Sequence, residues 1–111
     1  MTESRTDLLQ GTLELLILKT LDLDGSMHGW GVAVRINQLS DDVLEVNQGS
    51  LYPALHRLEH RGLIRSRWGT SENNRRAKFY ELTDLGRSKL TDERDRWESF
   101  AGAVARILGA G

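Results

Sequence analysis

Between Asn47 and Ile64 the chain reads NQGSLYPALHRLEHRGLI. Its polar side chains, among them Ser50, Tyr52, His56, Arg57 and His60, are of the kinds that hydrogen-bond phosphates and base edges. A solvated helix face ordinarily carries mixtures of Glu and Lys, whereas this one has a single Glu59 at its edge. Taken alone, the stretch also reads as an ordinary surface helix. A second basic set follows in Asn73, Asn74, Arg75, Arg76 and Lys78. Such a set is commonly just a solvated loop tip, but it comes directly after a segment suited to phosphates. Other chemistries are poorly supplied. His56 and His60 lie four apart, the spacing that metal pairs use, yet no Glu follows the first and no third ligand is evident, so neither metal nor cofactor is expected. With no cysteine, no nucleophile elbow and no glycine-rich phosphate loop, the chain is not expected to be an enzyme.

Helical periodicity positions the first set. Leu51, Ala54, Leu55 and Leu58 fall on one face of a helical wheel, and Pro53, His56, Arg57 and His60 on the other. Ser50 is the expected N-cap, which puts Pro53 inside the first turn where its missing N–H costs little, and Gly62 ends the helix. Leu63 to Trp68 then alternates, Ala77 to Leu82 is a second β-type run, and the polar connection from Gly69 to Arg76 makes the pair a hairpin with a long tip. Upstream, a helix from about Asp7 to Leu21, capped by Ser4 or Thr6, is apolar on most sides, as in a central helix or one shared with a second subunit. Asp22 to Ser26 is a turn. A second helix runs from near His28 to about Leu39 with Trp30, Ala33, Val34, Ile36 and Leu39 inside, and Asp41 and Asp42 open the link to the third. Three helices followed by a two-stranded hairpin is the order of a winged helix, in which the third helix enters the major groove and the hairpin touches the backbone or minor groove.

The last helix, capped by Thr83 and Asp84, runs to about Leu108, with Leu85 packing back toward the hairpin. Leu90, Trp97, Ala101, Val104 and Leu108 are spaced in a heptad-like way, and Phe100 and Ile107 widen the stripe. Folding back on the first helix is one outlet for this face. That helix is itself over-supplied with leucine, so pairing between two copies is the expected one. Residues 1–83 are thus read as a winged-helix DNA-binding domain and 84–111 as a dimerisation helix, a mainly α fold with one small β-hairpin.

At 111 residues with 39% apolar content the chain has material for one core. Absent cysteines fit a reducing compartment, the longest apolar run (Leu15 to Leu18) is far too short to span a bilayer, and acidic residues stand where a secretory signal would be basic. A soluble cytoplasmic protein with no membrane partner is expected. The net charge of -1 hides a strong asymmetry. Residues 1–46 hold three basic and eight acidic side chains (-5), residues 47–82 seven and three (+4), and residues 83–111 five of each (0). A positive middle in a nearly neutral chain suits a polyanion such as double-stranded DNA; an acidic protein partner is the alternative.

Three segments, MHGW at Met27 to Trp30, GSLYPALHRLEHRGLI at Gly49 to Ile64 and AKFYELTDLG at Ala77 to Gly86, together resemble the PadR family of bacterial winged-helix repressors. The resemblance covers nearly the whole chain, and the single C-terminal helix is similar to that of the short-form members. Trp30 stands where the family more often has tyrosine, and Ala77 where a basic residue is common. The resemblance implies a dimeric repressor, with Ser50, Tyr52, Pro53 and His56 in the recognition segment and Arg75, Arg76 and Lys78 in the wing. The candidate DNA-contacting set, from residues and resemblance together, is Gln48, Ser50, Tyr52, Pro53, His56, Arg57, Asn74, Arg75, Arg76 and Lys78. Leu90, Trp97, Ala101, Val104 and Leu108 are the candidate dimer seam. Trp97 and Trp30 are the candidate surfaces for a small aromatic effector.

Overall fold

The computed structural model describes residues 10–111. The elements run α1 (Gln10–Asp24), β1 (Met27–His28), α2 (Gly29–Leu39), α3 (Gln48–His60), β2 (Ile64–Thr70), β3 (Arg76–Leu82) and α4 (Asp84–Leu108). The expected start of the first helix near Asp7, with Leu8, Leu9 and the Ser4 or Thr6 cap, lies outside the described residues. β2 and β3 pair antiparallel in the register Ile64↔Leu82 to Thr70↔Arg76, and β1 adds to the other edge of β3 through Met27↔Tyr80 and His28↔Phe79. The sheet therefore has three strands in the order β1-β3-β2 rather than the two expected. Two residues are too few for any alternation in sequence to announce a strand. Among the described residues no helix is long and apolar enough to cross a membrane.

One core joins the elements. Ile17, Leu18 and Leu21 of α1 meet Val32, Ala33 and Ile36 of α2, Leu51, Leu55 and Leu58 of α3, and Ile64, Tyr80 and Leu82 of the sheet. The inner face of α2 is rotated from the expected one, because Trp30, Val34 and Leu39 are exposed. The cause is a close approach at Gly29. A Cβ there would lie 2.9 Å from Tyr52 Cε1 and 3.1 Å from Leu55 Cδ1, so α2 packs on its glycine side and turns Trp30 outward. His28 caps this helix, its Nδ1 accepting from the Gly31 amide at 3.0 Å.

α3 ends as expected. Gly62 is left-handed (φ 77°), its N–H donating to Glu59 O at 3.0 Å and that of Leu63 to Leu58 O at 3.0 Å, the paired bonds of a Schellman ending. Thr83 then caps α4, its hydroxyl oxygen accepting from the Gly86 amide at 3.0 Å while its O–H donates to Gly62 O at 2.7 Å. The ends of α3 and α4 are thus bound to each other. Leu85 is exposed instead of packing toward the hairpin. α4 is held closely at Gly86, where a Cβ would come 2.0 Å from the Leu63 carbonyl oxygen. Leu90, one turn further on, enters the domain core and so departs from the expected dimer seam. Gly86→Ala should push α4 off Leu63 and destabilise the fold by about 1–3 kcal/mol, as overpacking does. Denaturant unfolding measures this, and an unchanged midpoint would show that the close approach is not needed.

Candidate nucleic-acid interface

The cap of α3 lies three residues before the expected one. Asn47 holds extended geometry (φ -85°, ψ 160°) and its Oδ1 accepts from the Ser50 amide at 2.9 Å. Ser50 is therefore inside the helix with its hydroxyl on the exposed side, and Pro53 lies in the second turn rather than the first. A proline at this depth has no N–H for the carbonyl four residues back, so the Gly49 carbonyl is left without its helical donor. Leu51, Ala54, Leu55 and Leu58 are fully buried, which turns Gln48, Ser50, Tyr52, Pro53 and His56 to the outside.

Arg57 departs from this set. Its Nε donates to Glu14 Oε2 at 2.7 Å, and Arg61 Nη1 donates to the other oxygen, Oε1, at 3.2 Å. Glu14 is only 9% exposed, on α1, so the two guanidinium groups neutralise a nearly buried carboxylate and bind α3 to α1. Nothing local in the sequence signals this pairing, since Glu14 lies 43 residues away from Arg57. His60 is exposed one turn beyond His56, and among the described residues no three His, Cys, Asp or Glu side chains converge as metal ligands would.

The hairpin is a wing with a short tip. Ser71 N donates to Arg75 O at 2.7 Å, Asn74 N to Ser71 O at 2.8 Å, and Asn74 itself is left-handed (φ 60°). Asn or Gly is the residue type for such a tip. Cross-strand partners share a face, so Trp68, Lys78 and Arg76 stand together toward α3. The Arg76 guanidinium carbon is 4.7 Å and Lys78 Nζ 6.0 Å from the centre of the Trp68 ring, cation–π contacts that fix the basic ends at the wing surface. Lys78 also approaches Glu59 Oε1 at 3.8 Å. Among the described residues Arg67, Arg75 and Arg76 make no salt bridge, and Arg67 lies over Phe79 on the opposite face of the hairpin. Trp68 and Arg67 were not among the expected site residues. The alternation of β2 was visible, but the partner across the hairpin depends on register, which a polar tip of unknown turn type does not reveal.

The start of α2, Tyr52 of α3 and the wing line a groove of about 610 Å³, with Trp68, Arg75, Arg76 and Lys78 in its wall. Tyr80 closes its base. Burial pushes the Tyr80 hydroxyl pKa up, with the nearby Glu59 and then Tyr52 acting in the same direction. The unfolded chain would release this proton first, so the associated stability is present below the ordinary value of 10.0 and declines as pH rises past it.

With this geometry in place, comparison with known proteins is decisive. Residues 17–92 match the model of the transcriptional regulator PadR-like family. The chain belongs to the PadR family. It is 37% identical over 81 residues to the transcriptional regulator Rv3488 of Mycobacterium tuberculosis, covering 73% of this chain and 72% of that protein. Its fold is similar to that of a transcriptional regulator from Clostridium thermocellum (TM-score 0.79, 25% identity, covering 89% of this chain and 95% of that one). It is also similar to a PadR-like transcriptional regulator from Bacillus cereus (TM-score 0.77, 26% identity, covering 93% and 97%). This PadR-family chain is accordingly a DNA-binding transcriptional regulator with a winged-helix fold, as its segments implied.

Arg57 and His56, adjacent in sequence, should separate cleanly in unfolding experiments. Arg57→Ala leaves Glu14 with Arg61 alone and should cost roughly 1–2 kcal/mol of stability, the range for a charged hydrogen bond lost at a half-buried site. His56→Ala, exposed and with no hydrogen bond or salt bridge among the described residues, should stay within about 0.5 kcal/mol of wild type. Equal losses would mean that the ion pair to Glu14 contributes nothing.

Proposed function

We propose that this regulator represses transcription by occupying a promoter as a homodimer, with α3 of each copy in a major groove and the wing on the adjoining backbone. One observation carries the reading. Tyr52 of α3 lines the same groove as Arg75 and Arg76 of the wing, which make no salt bridge among the described residues, so one duplex can be touched by both elements at once. Within this reading Gln48, Ser50, Tyr52, Pro53 and His56 approach base edges and neighbouring phosphates, while Asn74, Arg75, Arg76 and Lys78 act on the backbone.

The dimer is supported by α4. Its 25 residues make a rod roughly 37 Å long, of which only Gly86 and Leu90 are buried. Trp97 is 46% exposed, Val104 36%, Ile107 72% and Leu108 80%, an apolar row that a second copy of the same stripe would cover. The radius of gyration, 15.2 Å, also exceeds the about 13 Å of a compact chain of this length. Trp97, Ala101, Val104 and Leu108 form the seam in this account. Trp97 further lines a cleft of about 300 Å³ against Gly11, Thr12 and Leu15 of α1, where a flat aromatic effector would stack on the indole beside the seam.

Two measurements test the proposal. A Trp97→Glu, Val104→Glu double change would place two unpaired charges in the seam at a cost of several kcal/mol, and sedimentation should then show monomers. A variant still dimeric at micromolar concentration would move the seam to another surface. Salt titrations on a selected operator and a scrambled duplex should show Arg76→Ala losing affinity for both alike, with the salt slope reduced by about one unit. His56→Ala should instead cost roughly 1–3 kcal/mol at the operator and less on the scrambled duplex. Parallel losses in both variants would contradict the assignment of α3 as the reading element, and a wild type that binds neither duplex at low salt would favour an acidic protein partner.

A further inference from the structure

A second cavity, of about 500 Å³, lies between α2 and the link to α3. Its apolar surface comes from the half-exposed Trp30 with Ala33, Val34 and Val46, and its rim carries Asn37, Glu45 and Asn47. A cavity in the range of small-molecule sites, mostly apolar with a few convergent polar groups, has the makeup of a ligand pocket. The two amides are already committed in part. Asn37 Nδ2 donates to Leu44 O at 3.1 Å and Asn47 Oδ1 accepts from the Ser50 amide at 2.9 Å. Glu45, by contrast, makes no salt bridge or side-chain hydrogen bond among the described residues, so its carboxylate is the unspent charge of the cavity.

Charge selects the ligand. From Ile36 to Asn47 the chain holds Asp41, Asp42 and Glu45 and no Lys or Arg, and Arg35, just before, is bound to Asp24 at 2.6 Å. Phosphates and carboxylates are repelled by such a surface, while a cation is drawn both to Glu45 and to the face of the Trp30 indole. We infer that this cavity is a binding site for a small organic cation, an ammonium carried on a flat or apolar body, with Glu45 as counter-ion, Trp30 as the cation–π wall and Ala33, Val34 and Val46 against the apolar part. The site is separate from the cleft at Trp97 and does not rest on how the protein engages DNA. Its position gives it a route to function, because Asn47, on its rim, is also the cap of α3, and Trp30 is shared with the wing groove.

The test uses the free protein and benzyltrimethylammonium as probe, with phenylacetate as an anion of similar size. In ¹⁵N–¹H spectra the probe should shift the Trp30 indole N–H and the Glu45 and Ser50 amides saturably, and phenylacetate should not. Glu45→Gln, an exposed change with no partner to lose, should weaken probe binding about tenfold or more, and Trp30→Leu should abolish it. Equal binding of the two probes, affinity unchanged in both variants, or shifts confined to Trp68 or Trp97 would each overturn the inference.

Discussion

The molecule depends on how α3 is seated. Leu51, Ala54, Leu55 and Leu58 are each 0% exposed, so the helix has one orientation in which its apolar stripe is dry. Rotating it by even one residue would expose leucine and bury imidazole or hydroxyl groups without partners, at a cost of about 1–3 kcal/mol for each buried polar group. Glu14 reinforces this seating from α1 by holding Arg57 and Arg61 at the helix's C-terminal half. The outer face follows from these inner contacts. What the helix offers to a duplex is determined by hydrophobic burial on one side and by a single carboxylate at one end.

Around that helix the charges are sorted by how they are held. Arg57, Arg61 and Arg65 are neutralised by Glu14 or Glu81, Lys78 is partly offset by Glu59, and Arg67, Arg75 and Arg76 make no salt bridge among the described residues. Counting basic residues therefore overstates the free positive charge, and around α3 the arginines without an acidic partner among the described residues are those of the wing. Trp68 contributes to the same end by supporting Arg76 on its ring, a contact that orders the side chain before any phosphate arrives.

Much of this was readable from residue patterns because the decisive signals are local. The stripe at Leu51, Leu55 and Leu58 has helical period, Gly62 marks its stop, and the polar run between two β-type segments marks a hairpin. Errors came where two local options were equivalent or where the determining partner is distant. Asn47 and Ser50 are both good caps three residues apart, and the extended backbone at Asn47 decided between them. The inner face of α2 does not follow its largest apolar residue, Trp30, because the packing is set by the space at Gly29. Arg57 has the spacing of a reading-face residue, yet its partner Glu14 lies on α1, and Leu90 has the spacing of a seam residue, yet heptad spacing does not show where a projecting helix leaves its own domain.

The central claim, that paired copies of α3 read one operator, can be measured directly because the chain has no cysteine. A Gln48→Cys variant carrying an iron chelate at the exposed start of α3 would cut DNA only where that helix end lies. Two cleavage centres related by symmetry and separated by one helical turn, about 10 base pairs or a multiple of it, are the expected result on a selected operator. A single centre, or cleavage spread evenly along the duplex, would contradict the account.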